Sequence, residues 1–412
     1  MKYPLSPFPH GQKVRPMSSV ATGPSVTHLT EETAHHRRGD IQGLRALAVV
    51  LVVLDHAGVP LFSGGFEGVD IFFTLSGFVI TQSLLLYPEA PLRHQLITFY
   101  TRRIRRITPA ASLALVVTLV VAYCALRTTY PPNLLGDVRW ANFFGENVRL
   151  TSTSANYFIP GLAPSLVTPF WSLAVEEQFY ALFPLLFFLI HRHTVGRSRH
   201  NALRVALVVL LVVSALWSWH YSLTSPTAAY YSLFTRWWEL ALGALVALLP
   251  RGWHWRSTAA ATRVSWVALA AIALGAELLH NVGAYPGVAA WLPCGATAAL
   301  LFSGRGETGV VQTMLAWRPA QFVGNLSYSW YLYHFLFLTL PLYIGTGTNS
   351  RTERVVEVIG GFVCALASYY LVESPIRRAR LFKDPYLAVL LGIICLAAVY
   401  DTTVFINALL PR

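Results

Sequence analysis

Two ionisable residues share one apolar run, GLRALAVVLVVLDHA (43–57), with Arg45 near its start and His56 near its end. On a helix the step between them comes to about three turns plus roughly 20°, so both side chains look the same way, about 16 Å apart along the axis. That is around half the thickness of a bilayer's hydrocarbon core, which puts one group near a membrane surface and the other deep. Ionisable groups inside a span are costly and mark a pathway or a site unless satisfied locally. The local alternative has Arg45 snorkelling to headgroups and His56 making a neutral hydrogen bond to a neighbouring helix.

Further runs repeat this pattern. PFWSLAVEEQFYALFP (169–184) holds Glu176 and Glu177, which point in different directions on a helix, so only one can face a given groove squarely. A buried carboxylate of this kind suits proton transfer or pairing with a base such as Arg236 or His56. YYSLFTRWWELALGALVA (230–247) sets Arg236 and Glu239 three apart, where they can neutralise each other. GGFEGVDIFFTLSGFVI (64–80) carries Asp70 and Ser76 among glycines that allow close helix approach. In FYTRRIRRITPA (99–110), Arg102, Arg103 and Arg106 form a basic stripe whose guanidinium forks match phosphate oxygens, although orientation of the chain in the membrane explains such a cluster equally well. FVGNLSYSWYLYHFLFL (322–338) holds His334, with Asn325 and Ser327 near its start. ASYYLVESPIRR (367–378) holds Glu373, with Pro375 and an Arg pair as a helix stop and basic anchor.

The elements that position these residues are membrane helices. The 412-residue chain is 55% hydrophobic and 12% charged, the profile of an all-α polytopic membrane protein. Its net charge of +12 sits between apolar runs, where it orients the chain and meets anionic lipid, so no nucleic-acid partner follows. Cys124, Cys294, Cys364 and Cys395 lie within apolar runs without metal-ligand spacing, and no metal is expected. Residues 1–39, rich in proline and polar groups, read as a disordered cytoplasmic tail without a signal peptide. Spanning runs fall at 41–62, 68–86, 107–126, 169–190, 203–221, 230–249, 264–280, 286–303, 322–343, 355–374 and 386–406. That makes about eleven, or ten if the last does not cross. With the N-terminus cytoplasmic, Lys and Arg favour the inner loops by about three to one. The segment 131–168 is long enough to hide a re-entrant helix around Trp140 to Val148.

In order and spacing, GLRALAVVLVVLDH, GGFEGVDIFFTLSGFVI, YTRRIRRITP, WSLAVEEQFYALFP, RWWELALGALVA, YPGVAAWLPCGATAALL, FVGNLSYSWYLYHFLFL and YYLVESPIRR resemble the membrane-bound acyltransferase-3 family of bacterial O-acyltransferases, over roughly residues 39–382. The expected organisation is thus an acyltransferase-3 transmembrane domain at 40–382, then a final transmembrane helix and short tail at 383–412, in the cell membrane. The resemblance implies transfer of an acyl group, commonly acetyl, from acyl-CoA as cosubstrate, with no permanently bound cofactor. It makes Arg45 and His56 the signature pair, Arg103 and Arg106 the donor motif, and Glu176 the more constant of the two glutamates. Many relatives continue into an extracytoplasmic SGNH-type esterase domain, and this sequence shows none before Arg412. The expectation is therefore a stand-alone enzyme acting on a hydroxyl of a lipid-linked glycan, glycolipid or macrolide rather than directly on peptidoglycan.

On this reading Arg103, Arg106 and Arg45 hold the CoA phosphates, and the pantetheine arm reaches along the first helix to His56. His56 serves as general base or transient acyl carrier, and Glu176 is the leading candidate to orient it, because Asp55 points elsewhere. Asp70, Ser76, Glu177, Arg236, Glu239, His334 and Glu373 are expected to shape the substrate site. The competing class is a transporter using His56, Glu176, Arg236 and Glu239 as a proton or substrate path. A structural membrane partner would tolerate His56→Ala without consequence.

Overall fold

A computed structural model of the protein describes residues 38–85, 91–127, 129–153, 164–194, 197–250, 252–281, 283–306, 309–345 and 350–410. The expected cytoplasmic tail falls, up to residue 37, outside the described residues. Among the described residues every regular element is helical: α1 (Gly39–His56), α2 (Gly68–Leu85), α3 (Leu92–Leu126), α4 (Leu134–Asn142), α5 (Glu146–Ser152), α6 (Phe170–His193), α7 (Arg197–Thr224), α8 (Pro226–Tyr231), α9 (Leu233–Leu248), α10 (Thr258–Leu278), α11 (Trp291–Ser303), α12 (Val310–Leu315), α13 (Arg318–Ile344), α14 (Arg351–Ser368), α15 (Ser374–Arg378) and α16 (Pro385–Leu409), with short 3₁₀ and π turns between them.

Among the described residues, seven helical stretches are long and apolar enough to cross a bilayer alone, namely those over α2, α3, α6, α7, α10, α16 and α14 with its continuation. Outward faces agree: Val213 on α7, Ile359 on α14 and Ile393 on α16 are more than half exposed, a liability in water and the proper solvent face in lipid. This is a multi-pass membrane protein. Three helices outside that set, α1, α9 and α13, carry Arg45, His56, Arg236, Glu239 and His334 and pack against α13, α2 and α1 respectively.

Several expected boundaries move for local reasons. The first run ends as helix at His56 and not near residue 62, because Gly58 turns the chain at φ 70° and Pro60 opens a 3₁₀ turn. The run at 230–249 is broken at Ser232 into α8 and α9, and that at 286–303 keeps only the 13 residues of α11 as helix. Pro375 does not stop its helix: α14 passes through a π turn over Tyr369–Glu373 into α15, and Pro375 sits in the first turn of α15, where its missing N–H is tolerated. The stretch 131–168 contains two short helices, α4 and α5.

Close approaches between backbones hold the frame. A Cβ on Gly77 of α2 would lie 1.8 Å from the Leu240 carbonyl oxygen of α9, and one on Gly243 of α9 equally close to the Thr74 oxygen of α2. Only glycine permits that approach, and it brings Arg236 up to Asp70. Gly324 does the same for α13 against Gln42 of α1.

Candidate active site

The basic stripe of α3 divides by face. Arg103 and Arg106 line a cavity of about 150 Å³ together with Arg45 from α1, Ser76 from α2, Glu176 and Tyr180 from α6, and Tyr328 and Tyr331 from α13. Arg105, one position from Arg106, turns the other way and donates to the backbone oxygens of Arg377 (2.5 Å) and Ala379 (3.0 Å), tying α3 to the C-terminal end of α15. Arg102 is exposed. The stripe is therefore one cavity face and one structural clamp, a split that i, i+3 spacing alone foretells for Arg103 and Arg106.

Within the cavity Glu176 accepts from Ser76 Oγ at 2.7 Å and from the Tyr180 hydroxyl at 3.1 Å. The Arg103 guanidinium lies over the Tyr180 ring, 4.7 Å from its centroid. Glu176 is in turn within electrostatic reach of Arg45 and Arg103. Glu177 does not line the cavity, although Arg103 and Arg106 lie within its electrostatic reach, and one of its carboxylate oxygens is buried without a hydrogen-bond partner.

His56 is not among the residues lining the cavity. Its Nδ1 lies 2.9 Å from Nε2 of His334, and the Phe335 ring stands edge-on at 5.0 Å, so the imidazole faces α13 and not the hydrocarbon. Nδ1 of His334 lies 2.7 Å from the Tyr331 carbonyl oxygen. A carbonyl only accepts, so His334 carries its proton on Nδ1 and, when neutral, presents a lone pair at Nε2. His56 Nδ1 must then donate, which leaves the basic lone pair of a neutral His56 at Nε2. Tyr331 joins the two parts of the site: it lines the cavity, its hydroxyl lies 2.7 Å from Ser172 Oγ, and its carbonyl fixes the histidine pair.

The expected contact between Glu176 and His56 is thus corrected. Glu176 is committed to Ser76 and Tyr180, and a second histidine meets His56 where a carboxylate was sought. The reason is geometric, since α1 packs on α13 and carries its far end to His334.

The remaining candidates fall elsewhere. Arg236 and Glu239 do pair, at 3.0 Å, but Asp70 joins them at 2.8 Å from the same guanidinium nitrogen, and Tyr285 donates to Asp70 at 2.6 Å. All of these groups are buried, and the guanidinium is further stacked by Trp171, Tyr230 and Tyr285. Cys294 lies close enough to Asp70 and Glu239 for the three to hold an ion, yet Arg236 already supplies the positive charge there. Glu373 accepts from Ser329 at 2.8 Å and from Arg377 at 3.4 Å at the π turn. Ser327 lines the cavity, whereas Asn325 is exposed. Tyr180, Tyr331 and Ser172 are site residues that reasoning from charge alone passes over. Each stands one helical turn from a residue singled out above: Tyr180 and Ser172 four from Glu176, and Tyr331 three from His334.

The fold and this site define a multi-pass membrane protein with an arginine-lined cavity, one of whose lining residues, Tyr331, holds a histidine pair through its carbonyl. Comparison with known proteins gives the group. An acyltransferase domain matches residues 38–374, and the chain belongs to the acyltransferase-3 family. The peptidoglycan O-acetyltransferase OatA of Listeria monocytogenes serovar 1/2a is 30% identical over 351 residues, covering 82% of this chain and 55% of that protein. The O-acetyltransferase OatA of Staphylococcus aureus (strain NCTC 8325) is 27% identical over 354 residues, covering 82% and 57%. A Komagataeibacter xylinus protein bearing the name membrane-bound transacylase BcsY is 33% identical over 351 residues, covering 82% of each chain. The chain spans little more than half the length of the two OatA proteins. No solved structure gives a significant match.

Proposed function

We propose that the protein moves a short acyl group from acyl-CoA, approaching from the cytoplasmic side, to a hydroxyl of a glycan, glycolipid or macrolide. The observation that carries this reading is the cavity walled by Arg45, Arg103 and Arg106, which ends against the residue that holds the His334–His56 pair. Three guanidinium groups converging on one small cavity suit an anionic donor. At about 150 Å³ the cavity takes a slender arm rather than a whole nucleotide-bearing molecule.

His56 acts as general base. The acceptor hydroxyl gives its proton to Nε2 as its oxygen bonds to the thioester carbonyl carbon; the carbon–sulfur bond then breaks and CoA leaves as the thiol, taking up one proton. His334, with its tautomer fixed by the Tyr331 carbonyl, keeps His56 in the required orientation and shares the charge that develops on it. Ser76 and Tyr180 hold Glu176 opposite the arginines, so the cavity is not purely cationic and thiol-end groups can leave it.

Family membership supports this reading over transport. The names of the relatives bring peptidoglycan back among the acceptors. The test is to incubate membranes holding the protein with labelled acetyl-CoA or propionyl-CoA and extracts of candidate acceptors, comparing wild type with His56→Ala. Label transfer that disappears in the variant supports acyl transfer. Uptake of an unchanged solute that disappears instead assigns transport.

A further inference from the structure

A second cavity, of about 270 Å³, opens beside the first and shares no lining residue with it; Ser83, His94, Gln95, Thr98, Phe99 and Arg102 contribute to it. Its position follows from helical spacing. Ser83 lies one turn beyond Val79 of the arginine-lined cavity along α2, and Phe99 lies one turn before Arg103 along α3. The Arg103 guanidinium, 5.5 Å from the Phe99 ring centroid, stands between the two spaces. Neither volume reaches the ~300–1,000 Å³ usual for a site enclosing a whole ligand. An acyl-CoA is a two-part molecule, with a narrow pantetheine arm and a bulky, charged nucleotide end, so two adjoining cavities on either side of an arginine divide it naturally.

Resting on the acyl-CoA reading above, we infer that this second cavity receives the 3′-phosphoadenosine end of the donor, with Arg102 and His94 facing its phosphate and Thr98, Gln95 and Ser83 the edge of the purine. The chemistry is complementary on each count. Arg102 offers a guanidinium fork that is exposed and does not share the face of Arg103. The amide and hydroxyls supply both donors and acceptors, as a purine edge needs. Phe99 closes the floor with an apolar ring. The pyrophosphate then falls between the cavities, at Arg103 and Arg106, and the thioester arm continues toward Tyr331.

The test is direct binding of tritiated acetyl-CoA to the full-length protein in neutral-lipid nanodiscs, displaced by unlabelled acetyl-CoA, 3′-dephospho-acetyl-CoA or S-acetyl-pantetheine. Arg102→Gln and His94→Ala are each expected to weaken acetyl-CoA about tenfold, the loss of one charge-assisted hydrogen bond. Both should leave S-acetyl-pantetheine unchanged, and 3′-dephospho-acetyl-CoA, which lacks both contacts, should bind the wild type about a hundredfold more weakly than acetyl-CoA does. Equal losses for all ligands, or none for any, overturn the assignment of this cavity while leaving acyl-CoA as donor. Retention of anionic lipid that changes in Arg102→Gln while acetyl-CoA binding does not makes the cavity a headgroup site and also overturns it. A wild-type protein that binds neither acetyl-CoA nor S-acetyl-pantetheine removes the donor reading itself.

Discussion

Arg236 and Arg103 are both held against tyrosine rings inside the bundle, yet they meet carboxylates on opposite terms. Arg236 is 1% exposed and spends its charge on Asp70 and Glu239, with the Tyr230 carbonyl accepting from its Nε and three aromatic rings around it. Arg103 lies over Tyr180 with Glu176 nearby, but Glu176 takes its hydrogen bonds from Ser76 and Tyr180, and the arginine looks into a cavity. The two regions use the same residue types within neighbouring helices. What separates them is direct pairing: the first sets one guanidinium between two carboxylates, leaving one Glu239 oxygen without a hydrogen-bond partner, and joins α2 to α9, while the second keeps cations facing open space. Buried ion pairs contribute little net stability against apolar replacements, but breaking one leaves a stranded charge. Charge in the first region is therefore architectural, and charge in the second is available to a ligand.

The largest expected effect falls on the open side. His56→Ala should lower acyl transfer by about 10²- to 10⁴-fold, the usual contribution of a general base. Thermal unfolding in detergent should stay near wild type, because the residue sits at the end of α1. A variant that transfers label at an undiminished rate would remove His56 from the chemistry. The closed side should respond in the opposite currency. Arg236→Met strands two buried carboxylates and should cost about 3–5 kcal/mol of stability, read as lost monodisperse protein and a lower unfolding temperature. If Arg236→Met folds normally and only transfer or donor binding falls, the contrast between the two regions fails and Arg236 belongs with the site.

A smaller effect tests how the two halves of the open region connect. His334→Ala removes the ring that fixes the tautomer of His56 and should reduce the maximal rate on the order of tenfold to a hundredfold, less than His56→Ala. The apparent affinity for acyl-CoA should be unaltered, because His334 lies behind Tyr331 and not in the cavity wall. A loss confined to donor affinity would place His334 on the wrong side of that wall.

How much of this was legible beforehand depended on whether the relation is local along a helix. The lining of the cavity by Glu176 without Glu177, the Arg103–Arg106 stripe and the Arg236–Glu239 pair follow from rotation per residue, whereas of Arg45 and His56, which share α1, only Arg45 lines the cavity. The apolar runs likewise mark where helices lie, since hydrocarbon demands them. Relations between helices were not legible. No property of GLRALAVVLVVLDH shows that its histidine will meet His334, which is 278 positions away. The same holds for the third member of the buried ion cluster: Asp70 reaches Arg236 because glycines at 77 and 243 let two backbones touch. The role of Arg105 as a clamp depends on backbone carbonyls at Arg377 and Ala379 that no side-chain pattern encodes.

The weakest effects probe the cavity wall itself. Arg103→Ala should raise the apparent KM for acyl-CoA about tenfold, as one charge-assisted contact is lost, with little change in the KM for the acceptor. Equal weakening of both would mean that the arginine supports the fold of the cavity instead of the donor. Ser76→Ala removes only the 2.7 Å hydrogen bond to Glu176 and should change donor KM by a few-fold at most, corresponding to about 1 kcal/mol. Its direction is informative. A carboxylate that loses a donor seeks another, and the nearest charged donors are Arg103 and Arg45. Should Glu176 swing to them, it would neutralise part of the cation set, and donor affinity would fall. If affinity rises in Ser76→Ala, the carboxylate has moved away from the arginines, and its place opposite them is a restraint on donor binding that Ser76 maintains.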